Sequence, residues 1–358
     1  MRVKMQCNGT AHQTTGILFS DLASMLESRG IDVELEMRDF PVGVLRKIGV
    51  LTSRVARSWR SAKNCDALVV HTALSLSLPE IIFARLRRIP VVAFVWDIYP
   101  ASTKAAGSLT NPIVLSAYSL SEKLAFYLVN RSLVPSEDYF EWVPGHKKNV
   151  TLFPLWPRGG VRQCRAAPTH DDEIVIAFAG QINSLRGIEY AVELIRERIP
   201  NCSIKIDVFS KDKLPASLGE ATKHEGNLAI RRLGFVEPSE IGAVLSTYDF
   251  GLVSLDPSFA LPSFPSKILT YLSAGIPVLY CGPAYSGLEK LVSAYGLGIL
   301  LTSGLGDRRD LRSFDYARFA RGRNEFFTMS DEAADKLALY LTTGGQKPVF
   351  DIDDDGGV

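Results

Sequence analysis

Cysteine is scarce in this sequence: five in 358 residues (Cys7, Cys65, Cys164, Cys202, Cys281), scattered with no pair at metal-ligand spacing. That excludes a disulfide framework and reads as reduced thiols in a cytosolic protein. Excess charge is also missing. The formal net charge is +1, and neither an aromatic-interleaved basic strand nor a recognition module occurs, so no nucleic-acid partner is expected. Long apolar runs are lacking too. The longest, near 67–84 and 89–96, are interrupted by His71, Pro79 and Arg85, and neither would span a bilayer. MRVKMQCNGT has no apolar signal-peptide core, so any membrane contact is expected from one side. Neither half carries a local Asp-x-Asp of the kind that holds a divalent ion. Asp351, Asp353, Asp354 and Asp355 stand in a Gly-rich acidic end and read as solvated. No metal and no cofactor is therefore expected.

What is present is globular. With 46% hydrophobic and 22% charged residues, the chain can fill two cores, and its length exceeds one. Residues 1–160 hold 19 Lys+Arg against 13 Asp+Glu, a surplus of +6, and the remainder holds 21 against 26, or −5. A basic first half and an acidic second half predict two surfaces with different partners.

Strand-like and helix-like segments alternate in both halves. A helix over 17–29 ends at Gly30 and leads into the strand IDVELEM. DALVVHTA (66–73) and IPVVAFVWD (89–97) read as buried parallel strands, with SLPEIIFARLRR as the crossover helix between them. RSLVPSEDYFEWV predicts a short strand and then a helix capped by Ser136, before NVTLFPLWP. PRGGVRQCRAAPTHDDE has no periodicity and reads as a linker. The alternation then restarts with IVIAFAG, a helix over 187–198, SIKIDVFS, LAIRRLGFV, a helix over 238–246, DFGLVSL and PVLYCG. The expected layout is an N-terminal domain over 1–157, a linker over 158–173 and a second domain over 174–313. Helices over 314–345, with a course back to the first domain open to them, and an acidic tail over 346–358 complete it. Each domain reads as a doubly wound α/β sheet, the two facing across a cleft, with ligands bound beyond the carboxyl ends of the strands.

Among the loops there, FPSKILTYLSAGIPV (264–278) has both helix ends marked by Pro265, Ser266 and Gly275. Lys267 stands in the first turn, where the helix carries partial positive charge and a cation is unfavourable unless an anion lies opposite. Arg186 and Gly187, in AGQINSLRG, occupy the corresponding turn of another unit, where free backbone N–H groups can meet an anion. The pair reads either as a diphosphate clamp or as two solvated surface charges.

The run GFVEPSEIGAVLSTYDFGLVSLDP, then FPSKILTYLSAGIPVLYCGPAYSGLEKLV and GLGI, resembles the donor half of GT-B glycosyltransferases over about 120 residues. It is most similar to glycosyltransferase family 4, and within it to enzymes that extend lipid-linked bacterial polysaccharide units. AFAGQINSLRGIEYAVELI resembles the opening of that family's donor domain, and VWDIYPASTKAAG the Asp-x-Tyr/Trp-Pro segment of its lipid-linked-sugar members. The resemblance implies a GT-B fold and a retaining hexosyltransferase. Its donor would be a nucleotide-sugar, a UDP-sugar, and its acceptor a polyprenyl-diphosphate-linked saccharide at the cytoplasmic face of a bacterial membrane. It also implies that Arg186 and Lys267 hold the donor diphosphate and that Gly234 and Phe235 meet the base. Gly282, Gly287 and Glu289 would lie near the diphosphate and sugar, and Gly9 and Gly16 would shape the N-terminal loop. Ser266 falls within the same donor segment.

Three positions depart from the family. An arginine usual after the first donor-domain glycine is Gln181, and two glutamates flanking the PSK segment are Pro262 and Thr270. A threonine offers a ribose one hydroxyl where a carboxylate offers two acceptors. The departures leave open a non-catalytic GT-B subunit that supports another transferase. Within enzymes, an inverting transferase or a sugar-nucleotide epimerase also remains, with Asp97 or His12 as base. Asp97 reads as an acceptor-side or catalytic contact or as a turn aspartate, and His12 as a residue near donor or acceptor. Residues 41–64 set Leu45, Ile48, Leu51, Val55 and Trp59 at helical spacing among six Lys/Arg and no acids. That suits an anionic membrane surface, or an ordinary helix with a solvated basic face.

Overall fold

The structure is a computed structural model. It describes residues 1–10, 13–38, 64–105, 107, 109–144, 149–158, 160–168, 173–219, 223–225, 227–284, 286–302 and 310–345. The chain divides into two compact units. One comprises Met1–Trp156, Leu261–Phe264 and Met329–Val358, the other Pro157–Ala260 and Pro265–Thr328.

In the first unit six strands form one sheet: β1 (Arg2–Cys7), β2 (Asp32–Met37), β3 (Ala67–His71), β4 (Val91–Phe94), β5 (Arg131–Val134) and β6 (Val150–Leu152). Their order is β2-β1-β3-β4-β5-β6 and every pairing is parallel. β3 and β4 are buried at every position, which is why they are unbroken apolar runs. Helix α1 (Thr14–Glu27) follows β1, α2 (Leu78–Leu86) joins β3 to β4, and α3 (Ala101–Ala105) and α4 (Pro112–Leu128) join β4 to β5. Right-handed crossovers in this strand order put α2 and α4 on the same face of the sheet. The helix expected after Ser136 is a single 3-10 turn, Glu137–Tyr139, because the Ser136 hydroxyl donates to Asp138 instead of capping a backbone N–H. Phe19, Phe94, Phe153 and Trp156 meet largely edge to face, and Trp156 Nε1 donates to the Leu18 carbonyl at 3.0 Å. Arg38, almost fully buried, bonds Glu80 at 2.8 Å and Glu36 at 2.9 Å. Burial pushes the Glu36 carboxyl up, but Arg38 and Lys4 together outweigh it and bring it down to about 2.

The second unit contains β7 (Glu173–Ala179), β8 (Ser203–Phe209), β9 (Lys223–Glu225), β10 (Leu228–Gly234), β11 (Phe250–Ser254), β12 (Val278–Gly282) and β13 (Gly298–Thr302). The order is β13-β12-β11-β7-β8-β10-β9, parallel except for the antiparallel edge strand β9. The helices are α5 (Ile188–Arg198), α6 (Ile241–Leu245), α7 (Lys267–Ala274) and α8 (Gly287–Tyr295). Where several C-terminal helices were expected, one continuous helix of 27 residues, α9 (Tyr316–Thr342), runs from the second unit into the first.

The stretch expected to be a linker is a strap. Residues 160–168 have no regular structure, yet Arg162 N donates to Ser273 O at 2.8 Å and Arg323 Nη1 to Arg162 O at 2.8 Å. Arg158 N reaches Ser273 Oγ at 2.9 Å. Its backbone polar groups thus find partners on the second unit, whose C-terminal end of α7 it covers.

Candidate functional site

The second sheet prepares one helix start with care. Gly251, in β11, leaves room for the Tyr271 ring, which a Cβ there would strike. Tyr271 lies fully buried; its hydroxyl donates to Leu252 O at 3.2 Å and accepts from Ala179 N at 2.8 Å. That bond satisfies the last N–H of β7 and fixes α7 against the sheet. One turn earlier on α7, Lys267 is brought over Phe178, its Nζ 3.7 Å from the ring centroid. The stem keeps some surface, but Nζ itself is enclosed and has no hydrogen-bond partner. Burial, with the charge of Arg186 adding to it, holds this ammonium well below the ordinary lysine value. Apart from the Phe178 face, a buried cation beside another cation at the positive end of a helix gains most from an anion.

Arg186 reaches this position through a tight loop. Residues Ser184–Arg186 form a 3-10 turn capped by Asn183, whose Oδ1 accepts from Arg186 N at 3.1 Å. The Arg186 N–H is therefore not free to meet an anion, a correction to the expectation. Gly187 follows at φ +54°, and a Cβ there would lie 2.8 Å from Asp256 N. Asp256 N donates to Leu185 O at 3.1 Å, so the loop after β7 and the loop after β11 touch backbone to backbone. Ser266 precedes α7 in helical conformation and makes no side-chain cap, again unlike the expectation.

Thr270, one turn along from Lys267, is buried, and its Oγ1 accepts from Arg158 Nη1 at 3.4 Å. Gln181 is exposed, and Pro262 is buried in the segment 261–264 that belongs to the first unit. Gly234 ends β10 with φ +87°, and Phe235 beyond it is 46% exposed with Lys211 Nζ 4.0 Å over its ring. At the end of β12, Gly282 admits the Tyr280 hydroxyl, 2.6 Å from where a Cβ would stand. That hydroxyl bonds Pro283 O and Ser286 Oγ, each at 3.0 Å. Ser286 Oγ in turn accepts from Glu289 N at 3.1 Å, so Gly287 and Glu289 open α8 at capping-box spacing.

In the first unit Gly9 and Gly16 flank the start of α1, with the Ser20 hydroxyl bonded to Gly16 O at 3.0 Å. Asp97 is three residues past β4 and exposed, and its charge adds to burial in raising the Tyr99 hydroxyl to about 12. His12 lies outside the described residues, as do nearly all of residues 41–64 and the acidic end.

The structure adds a residue that motif reading missed. His71 closes β3, is 5% exposed, and has no hydrogen-bond partner on either ring nitrogen. Phe19 and Trp96 face it at 5.2 and 4.8 Å, and burial pushes its pKa down to about 3. The available signal was a lone histidine inside an otherwise apolar strand. Among the described residues, no cluster of His, Cys, Asp and Glu is placed to hold a metal, and no helix is long and apolar enough to cross a membrane.

No protein-family model matches the sequence, and no curated protein matches it. Solved structures do resemble it. The apo lipopolysaccharide outer core galactosyltransferase WaaB superimposes with a TM-score of 0.63 at 11% identity, covering 96% of this chain and 100% of that one. Sucrose-phosphate synthase from Thermosynechococcus elongatus gives 0.63 at 13% identity, over 96% and 98%. A Listeria monocytogenes protein assigned as a UDP-N-acetylglucosamine 2-epimerase gives 0.58 at 12%, over 96% of each chain. Identities this low speak for architecture alone, and the architecture is that of the GT-B fold, two Rossmann-like units in one chain.

Proposed function

We propose that this chain is a glycosyltransferase that takes a sugar from a UDP-sugar and passes it to a lipid-linked saccharide, with retention of configuration. It would work at the inner face of a bacterial membrane in surface polysaccharide synthesis. The observation that carries the reading is the enclosed, unpartnered ammonium of Lys267 with Arg186 beside it. As the sugar departs, negative charge grows on the leaving diphosphate. Lys267, whose ammonium has already lost its hydration, and Arg186 neutralise that charge. The leaving diphosphate oxygen then helps to take the acceptor proton, so the protein's work is positioning and charge stabilisation. Phe235, exposed at the end of β10, supports a place for the base. Asp97, outside the first sheet, belongs to the acceptor side in this reading.

Calorimetric titration with UDP, ADP, GDP and uridine tests it. UDP binding is expected, and Lys267→Ala should weaken the nucleoside diphosphates by about 10–100-fold, the loss of one charge-assisted hydrogen bond, and leave uridine nearly unchanged. Absence of any nucleotide binding, or equal loss for uridine and UDP, overturns it. A second reading, a GT-B subunit without turnover, draws on Thr270, standing where the resemblance to glycosyltransferase family 4 implies a ribose-binding glutamate, and on the Arg158 guanidinium that donates to it. It predicts no UDP binding at all.

A further inference from the structure

We infer that the outer face of α4, with the basic end of α2 beside it, is a docking surface for an anionic lipid bilayer. α4 is amphipathic in the wrong sense for a solvated helix. Glu122 and Ala125 face inward, while Ile113, Leu120, Leu124 and Tyr127 are 79%, 70%, 45% and 81% exposed. With Ala117 between them, their spacing alternates four and three residues, so they form one stripe about 21 Å long at 1.5 Å per residue. The helix does not depend on a partner to form: Asn111 caps it, its side chain accepting from Ile113 N at 3.0 Å, and Pro112 opens it.

Charge decides what covers this stripe. On α2 and α4 the only exposed charged residues are Arg85 and Lys123, and Arg87 and Arg88 follow directly. Both acids of these helices are buried and engaged. Glu80 meets Arg38, and Glu122 accepts from Leu74 N, Ser75 N and the Ser75 hydroxyl at 3.2, 2.9 and 2.7 Å. Leu86, 71% exposed, lies among the arginines. A two-fold contact with a second copy would bring two basic rims together with no acid on either helix to meet them. An anionic headgroup layer over an acyl interior matches both features, apolar stripe and basic rim, at once. Tyr127, at the end of the stripe, also lines a cavity of about 250 Å³ whose wall mixes Phe126, Val129 and Val150 with Ser132 and Asn149.

The proposed surface uses α2 and α4 and none of residues 41–64. It rests on the proposed lipid-linked acceptor for its purpose, and its test reads lipid binding apart from nucleotide binding. The full chain is sedimented with vesicles of equimolar phosphatidylglycerol and phosphatidylcholine, and with phosphatidylcholine alone. Binding to the anionic vesicles at low salt is expected, and Leu120→Ser with Leu124→Ser should lower the partition coefficient at least about tenfold. Arg87→Gln with Arg88→Gln, which leaves the stripe intact, should weaken binding and flatten its salt dependence. UDP titrations of the same variants should match the parent chain. No vesicle binding by the parent chain overturns the inference, as does undiminished binding by both double variants. A lipid-free dimer that the Leu120/Leu124 pair abolishes would also overturn it, in favour of a second copy. Vesicle binding without UDP binding, by contrast, fails the donor reading alone.

Discussion

Each sheet presents a buried, unpartnered nitrogen at the carboxyl end of a strand or just beyond it: Lys267 in the second unit, His71 in the first. Burial lowers the pKa of both. Their settings differ. Lys267 opens a helix, has another cation near it, and lies over one aromatic ring. His71 closes a strand among aromatic edges and is neutral across the physiological range. A cation left without a partner predicts a missing anion, whereas a neutral imidazole in an aromatic box is packing with a latent pH liability.

Four measurements test that contrast. The largest effect should come from Lys267→Met, which keeps the bulk and removes the charge. Affinity for UDP should fall about 10–100-fold while the apo protein melts at a higher temperature, since a buried charge has gone. With its pKa lowered in the fold, Lys267 makes stability rise with pH only between that lowered value and 10.5; below that window the folded and unfolded chains both carry the charge. A lower melting temperature would mean that Lys267 has a partner in the free protein. Next, Gly251→Ala should displace Tyr271 and cost about 1–3 kcal/mol in denaturant unfolding, with UDP affinity falling alongside. Unchanged affinity in a destabilised variant would separate Lys267 from the Tyr271 anchor.

The third test is pH. His71 titrates near 6.5 unfolded and about 3 folded, so its contribution is fully present above pH 6.5 and lost as pH falls toward 3. Glu36, held at about 2, loses its contribution only below its ordinary value of 4.5. Between pH 6.5 and 4.5, stability should therefore fall with a slope approaching about 1.4 kcal/mol per pH unit, and His71→Phe should flatten it. An unaltered slope would show that another group titrates there. The smallest effect is expected from Gln181→Arg at the exposed start of the same loop, a gain in UDP affinity of up to about fivefold, as for an exposed ion pair. A loss there would mean that the loop already carries too much positive charge.

The sequence made the strand–helix alternation legible because parallel strands buried on both faces, such as β3 and β4, leave unbroken apolar runs. Lys267 and Arg186 stood out because Pro, Ser and Gly punctuate the helix starts around them. Other features depend on contacts between residues that share no local pattern. Gly251 and Tyr271 are twenty residues apart, and only the packing of α7 on β11 brings them together. The stretch around Arg162 lacks periodicity, as a linker does, but its backbone bonds go to Ser273 and Arg323. For PIVLSAYSLSEKLAFYL, periodicity gives the spacing of the apolar residues and not which side of the helix is covered.

The backbone contact between Gly187 and Asp256 limits how this protein can be recombined. No side chain fits between the two loops, and the peptide of one accepts from the peptide of the other. A chimaera that exchanges the segment carrying Arg186 for a related one must therefore bring the loop after β11 with it. Breakpoints placed between the two would transfer the arginine's codon without its position.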